Sequence, residues 1–143
     1  MYVEWRWEWA FEILPQMLWA TLNTFLAAGV GYAIAAIVGI LFMLGQRTPY
    51  KILNIIIREI VEFIRSTPLL VQLFFVYFVA PQFGLTLSAW VCAMITIGLH
   101  YGTYLSEVYR GALEGVPKTQ WEACKALNFS TSYNYRKIIL PQA

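Results

Sequence analysis

The sequence predicts an all-α integral membrane protein. Three observations predict it: 59% of residues are hydrophobic, only 13% are charged, and the few charges are gathered outside two long apolar stretches. Mean hydropathy is +0.58, more than a soluble domain needs to build one core. No Asp, Glu, Lys or Arg occurs from Ile13 to Gln46, or again from Ser66 to Ser106. A bilayer core about 30 Å thick takes roughly 20 apolar residues to cross as a helix. The first stretch therefore holds one span and the second holds two, divided at Ala80-Pro81-Gln82-Phe83-Gly84, a turn signal.

Residues 1–16 form an interfacial N-terminus. Trp5, Trp7, Trp9 and Phe11 alternate with Glu4, Arg6, Glu8 and Glu12, and indoles favour the membrane boundary, where one edge stays wet and one face apolar. A basic leader region is lacking, so the start reads as mature protein. Span one, 17–44, carries small residues in four-residue steps: Ala27 or Ala28, then Gly31, Ala35 and Gly39. Such a row flattens one helix face and lets another backbone approach closely in lipid.

Residues 50–66 form an amphipathic helix at the membrane surface, with Arg58, Glu62 and Arg65 on one face, so that Glu62 can pair with either Arg. Span two, 67–79, starts at Pro68, where a missing N–H costs a helix nothing. The turn 80–86 and span three, 87–106, follow. The hydrophilic region 107–141 then carries Arg110, Lys118, Lys125, Arg136 and Lys137. The positive-inside rule places Arg47–Arg65 and Arg110–Lys137 in the cytoplasm and the turn 80–86 outside. Both loops agree only if the N-terminus lies outside.

Within 107–141, Pro117 suits a first helical position and Thr119 with Glu122 fits a capping box. Asn128 can end that helix in the left-handed conformation, and Ser130 can cap a second one that stops before Pro141. The spacing of this unit resembles the "EAA" loop of permease subunits of ABC importers: Glu-Ala-Ala, three residues, Gly, nine residues, Ile, one residue, Leu-Pro. Glu122, Ala123, Ile138, Leu140 and Pro141 fall in register, while Cys124 replaces the second Ala and Asn128 the Gly. Cys is small and readily buried, and Asn tolerates the left-handed region, so both departures are physically admissible. Phe63 to Gln72 and Tyr104 to Leu113 resemble the polar amino-acid branch of that family, and the Trp-rich start is faintly similar to permeases for ectoine and hydroxyectoine.

The resemblance implies a type I permease core of about five spans, of which this chain supplies three, together with a cytoplasmic two-helix coupling loop. It implies a bacterial inner-membrane subunit that performs no chemistry. Its partners would be a cytoplasmic ATPase dimer that binds ATP and Mg, a second permease subunit of the same or homologous type, and an external substrate-binding protein. The coupling residues would be Glu122, Ala123, Cys124, Asn128, Ile138, Leu140 and Pro141. Relatives continue through about two further spans after the loop, so the chain reads as truncated.

Polar groups inside spans are costly and face a cavity or a partner helix. Asn23, Gln72, Thr96, His100, Tyr101 and Glu107 are the substrate-path candidates on that ground, with Gln72 and His100 foremost; helix–helix bonding is the alternative role for each. His100 is the only His, so a metal site is not expected. Cys92 and Cys124 are expected as free thiols, and nothing in the charge pattern points to nucleic acid. The chain has no phosphate-binding G-x-x-x-x-G-K-[ST] loop. The competing class is an ion-coupled carrier or channel without an ATPase. Its expected internal repeat and mid-membrane charges are not seen.

Overall fold

The computed structural model describes residues 6–143; the reading of Trp5 and the residues before it lies outside the described residues. The helices are α1 (Trp7–Gln46), α2 (Lys51–Ser66), α3 (Leu69–Phe74), α4 (Ala89–Gly115), α5 (Lys118–Ala126) and α6 (Thr131–Tyr133). A π-helical segment, Phe75–Val79, and a 3₁₀ turn, Ala80–Phe83, extend α3; a second π-helical segment, Asn134–Ile139, extends α6. Among the described residues there is no strand.

Every expected element is helical, but several boundaries move. The interfacial segment from Trp7 and span one are a single helix, because Trp, Glu and Phe continue a helix freely and Pro15 is accommodated by loss of one backbone bond. At 40 residues and about 1.5 Å per residue, α1 is about 60 Å long, twice the bilayer core. Similarly, α4 runs on through Glu107–Gly115, part of the expected loop, held by ion pairs one turn apart. The turn at 80–86 begins as 3₁₀ helix and ends at Gly84, whose φ of 83° only glycine adopts freely.

By length and composition, α1 is long and apolar enough to cross a membrane. Helix α2 and the α3 segment meet that standard together, bent by 102°. The 27-residue α4 does not meet it, because His100 and several hydroxyl side chains dilute its apolar run.

Helix α1 packs chiefly on α4. The contact interleaves glycines with branched side chains from the opposite helix. A Cβ on Gly31 would lie 2.8 Å from Ile97, one on Gly102 2.7 Å from Val38, and one on Gly39 2.9 Å from Leu105. Gly98 receives Ile34 in the same way. The small-residue row thus faces α4 through Gly31, Ala35 and Gly39, all buried, with Ala27 half-buried and Ala28 exposed. Its counterpart on α4, Gly98 and Gly102 with Ser106, follows the same four-residue step. All the fully buried positions of α1 lie between Gly31 and Gln46.

Candidate functional site: a coupling knob and a polar seam

The two-helix unit is built on the end of α4. Leu113 and Val116 from α4 and its exit meet Ile139, and Met43, Trp121, Tyr135 and Ile138 close around them. Trp121 and Tyr135 pack edge to face at 5.4 Å, a favoured aromatic arrangement. This small core fixes α5 against the α6 segment.

Helix α5 starts two residues earlier than a Thr119 cap requires. Pro117 is the cap residue and no side chain caps the helix, so the Thr119–Glu122 capping box does not form. The rigid, extended backbone of Pro117 (φ −53°, ψ 136°) turns the chain into the helix without it. Glu122 and Ala123 are exposed, and Cys124 is buried.

The helix ends at Asn128, in the left-handed region with φ 53°. Phe129 N–H donates to the Cys124 carbonyl (3.1 Å) and Asn128 N–H to that of Lys125 (3.0 Å). That pairing is a Schellman cap, which normally takes glycine. Ser130 then accepts from Tyr133 N–H at 3.3 Å and caps α6. Ile138 is half-buried, whereas Leu140 and Pro141 lie exposed in the turn after the π-helical segment. The seven residues expected to couple thus all lie in this two-helix knob, with Glu122 exposed.

The second feature is a seam of polar groups between α3 and α4. Gln72 Nε2 donates to the carbonyls of Ile64 (2.7 Å) and Thr67 (2.9 Å) and lies 3.1 Å from His100 Nδ1. An amide nitrogen carries two hydrogens, so three acceptors share two donors. His100 meets Gln72 as acceptor when its proton sits on Nε2. Both carbonyls belong to the 102° bend, so Gln72 ties that bend to α4. His100 also stacks between Tyr101 (5.3 Å) and Tyr104 (5.2 Å). Tyr104 in turn donates to the Arg65 carbonyl at 3.3 Å and lies under the Arg65 guanidinium at 5.1 Å.

Of the other path candidates, Thr96 is buried and donates to the Cys92 carbonyl at 2.7 Å, an internal helix bond. Tyr101 is half exposed beside His100. Asn23 is half-buried on α1, far along the chain from the seam. Glu107 is bound at 2.6 Å to Arg110, which also grips Glu114 at 2.8 Å. Glu62 lies 3.8 Å from Arg65 and forms no ion pair with Arg58. The Arg110 guanidinium holds the Glu107 carboxyl below its ordinary range, against the opposing effect of burial, and Arg110 is itself raised. Cys92 and Cys124 are both buried free thiols. Among the described residues no group of three or more His, Cys, Asp or Glu could hold a metal ion.

Two features escaped the sequence reading: the glycine row of α4, visible as Gly98-x-x-x-Gly102, and the buried amide of Gln46. The latter stands where the first charge-free stretch meets Arg47, an ordinary helix end by sequence alone.

The family of binding-protein-dependent transport system inner membrane components matches residues 31–143, which include α4 and the whole knob. The chain belongs to that family. Among relatives of this inner membrane component, the probable amino-acid ABC transporter permease protein y4tG of Sinorhizobium fredii is 38% identical over 136 residues, covering 94% of this chain and 58% of that protein. The nopaline transport system permease protein NocM of Agrobacterium fabrum is 32% identical over 142 residues, covering 92% and 59%. The L-cystine transport system permease protein TcyB of Bacillus subtilis is 31% identical, covering 93% and 59%. This chain therefore spans somewhat under two thirds of the length of these relatives.

A crystal structure of an amino acid ABC transporter with histidines superposes with a TM-score of 0.88 at 25% identity, covering 99% of this chain and 65% of that one. The MetNI methionine ABC transporter shares the fold, with a TM-score of 0.61 over 87% of this chain at 23% identity.

Proposed function

We propose that this inner membrane component is a permease subunit of an ATP-driven importer for polar amino acids or a related zwitterion. One observation carries the reading: the stretch that matches the family ends in a two-helix knob that presents an exposed carboxylate, Glu122. Exposed acidic and basic side chains on a small, well-packed knob suit docking into a partner's cleft. The partner is a cytoplasmic ATPase dimer that binds ATP and Mg and does the hydrolysis. A second permease subunit completes the pathway, and an external binding protein delivers substrate. The spans traverse the membrane with the N-terminus outside. ATP binding selects between two packings of the spans, and transport follows because substrate affinity differs between them.

Purification from membranes tests the assembly: an ATPase subunit is expected to co-purify. Uptake by proteoliposomes of that complex should depend on ATP and be competed by polar amino acids, with ectoine as a separate competitor. The decisive variant is Glu122→Gln, since Glu122 plays no capping role and the change should leave folding intact. Loss of ATP-coupled uptake at unchanged membrane levels is expected; full uptake would remove Glu122 from the docking contact, and absence of any ATPase partner would end the importer reading.

A further inference from the structure

A cleft of about 220 Å³ opens between the inner ends of α1, α2 and α4, apart from the knob and adjoining the Gln72–His100 seam through Arg65. Gln46 lines it from α1; Arg58, Glu59, Glu62 and Arg65 line it from α2, and Glu107 with Arg110 from α4. Gln46 is 2% exposed, yet neither its side-chain oxygen nor its nitrogen has a hydrogen-bond partner, and Arg65 Nε is buried without one. The amide approaches the Glu107 carboxylate closely enough to help hold that carboxyl low, but outside hydrogen-bonding geometry. Buried polar groups without partners are rare in native proteins and call for something that pairs with them.

The charges define what that is. Three arginines and three glutamates line the cleft, so it is neutral overall while displaying both signs, which favours a neutral, charge-separated guest over a simple anion or cation. Arg110 is already committed to Glu107 and Glu114. Arg58, Arg65 and the Gln46 amide N–H remain as donors, and Glu59, Glu62 and the Gln46 carbonyl as acceptors, of which Arg65 and Glu62 lie nearest one another. Arg65 is held in place by the Tyr104 ring, and its partner Glu62 is only loosely engaged at 3.8 Å. Opposite charges one helical turn apart match a carboxylate and an ammonium carried on one carbon.

We propose that this cleft binds an α-amino acid from the cytoplasmic side, its carboxylate on Arg65 and Gln46 and its ammonium on Glu62. The orientation rests on the importer reading above, in which α2 faces the cytoplasm. A molecule held there bridges α1, α2 and α4 and would report the internal amino-acid pool to the transport machinery.

The protein, in lipid nanodiscs with the subunits that co-purify, is titrated with glycine, L-alanine, L-serine and L-glutamine, following thermal stability. At least one should raise the melting temperature saturably, and its amide and N-acetyl derivatives should need at least tenfold higher concentrations. Gln46→Leu should raise the baseline melting temperature, because an apolar side chain replaces an unpaired buried amide, and should abolish the response. Glu62→Gln, at an exposed position that leaves the fold untouched, should weaken it at least tenfold. No saturable response in the wild type, or an undiminished one in both variants, overturns the site. ATP-driven uptake measured on the same preparation separates the two readings: uptake without a response refutes only the cleft, whereas a response without uptake refutes only the importer.

Discussion

Gln72 shows how one side chain can set the shape of a helix pair. Its amide bonds the carbonyls of Ile64 and Thr67 at the bend and faces His100 on α4, so Gln72→Leu leaves two backbone acceptors short of a donor. Net values of about 0.5–1.5 kcal/mol per hydrogen bond predict a loss of about 1–3 kcal/mol, read as a lower unfolding midpoint and faster amide exchange at Val71. At Glu107 the carboxyl lies below its ordinary value because Arg110 binds the charged form. A depressed carboxyl stabilises the folded state above its unfolded pKa, and that contribution drains away as pH falls through the lowered value. Stability of the wild type should therefore fall with pH below about 4.5, and Glu107→Gln should flatten that part of the profile. Both residues stood out in the sequence as polar groups within or beside an apolar run. His100 stood out with them, but its pairing with Gln72 did not, because Ile64, Thr67 and His100 come together only through the bend, a tertiary feature that no local pattern encodes.

At the scale of the element, the end of α5 and the α1–α4 contact make opposite demands on side chains. The left-handed backbone at Asn128 costs an ordinary residue roughly 1–2 kcal/mol, so Asn128→Val should lower stability by about that amount and Asn128→Gly should hold or slightly raise it, as thermal unfolding would show. The α1–α4 contact instead excludes volume: a Cβ at Gly102 already crowds Val38 and the Ala35 carbonyl. Overpacking of this kind costs about 1–3 kcal/mol, so Gly102→Val should weaken the helix pair, measured as reduced disulfide capture between cysteines placed at Gly31 and Ile97, whose Cβ positions lie 3.5 Å apart. The local signals were legible beforehand: Asn128 as a helix stop and Ser130 as a cap depend on neighbours in sequence, and the row of α1 follows from helical period. The Thr119 cap failed because the fixed backbone of Pro117 starts the helix two residues sooner, a competition that residue types alone do not decide.

For the whole molecule, the fold class was written in charge spacing, since a helix that must cross lipid excludes charge for its whole length. Sidedness is the prediction that belongs to this scale. With the native cysteines replaced by Ala, Phe83→Cys should react with an impermeant maleimide in intact cells, and Gln120→Cys only after the membrane is opened; the reverse pattern would invert the orientation. Helix α1 adds a consequence of its own. Its fully buried residues all lie between Gly31 and Gln46, and the preceding stretch from Trp7 extends about 36 Å beyond them at helical rise. Such a rod is a lever: a tilt of a few degrees about its buried stretch sweeps the tryptophan-bearing end sideways by a few ångströms, so a small motion at one end is amplified at the other.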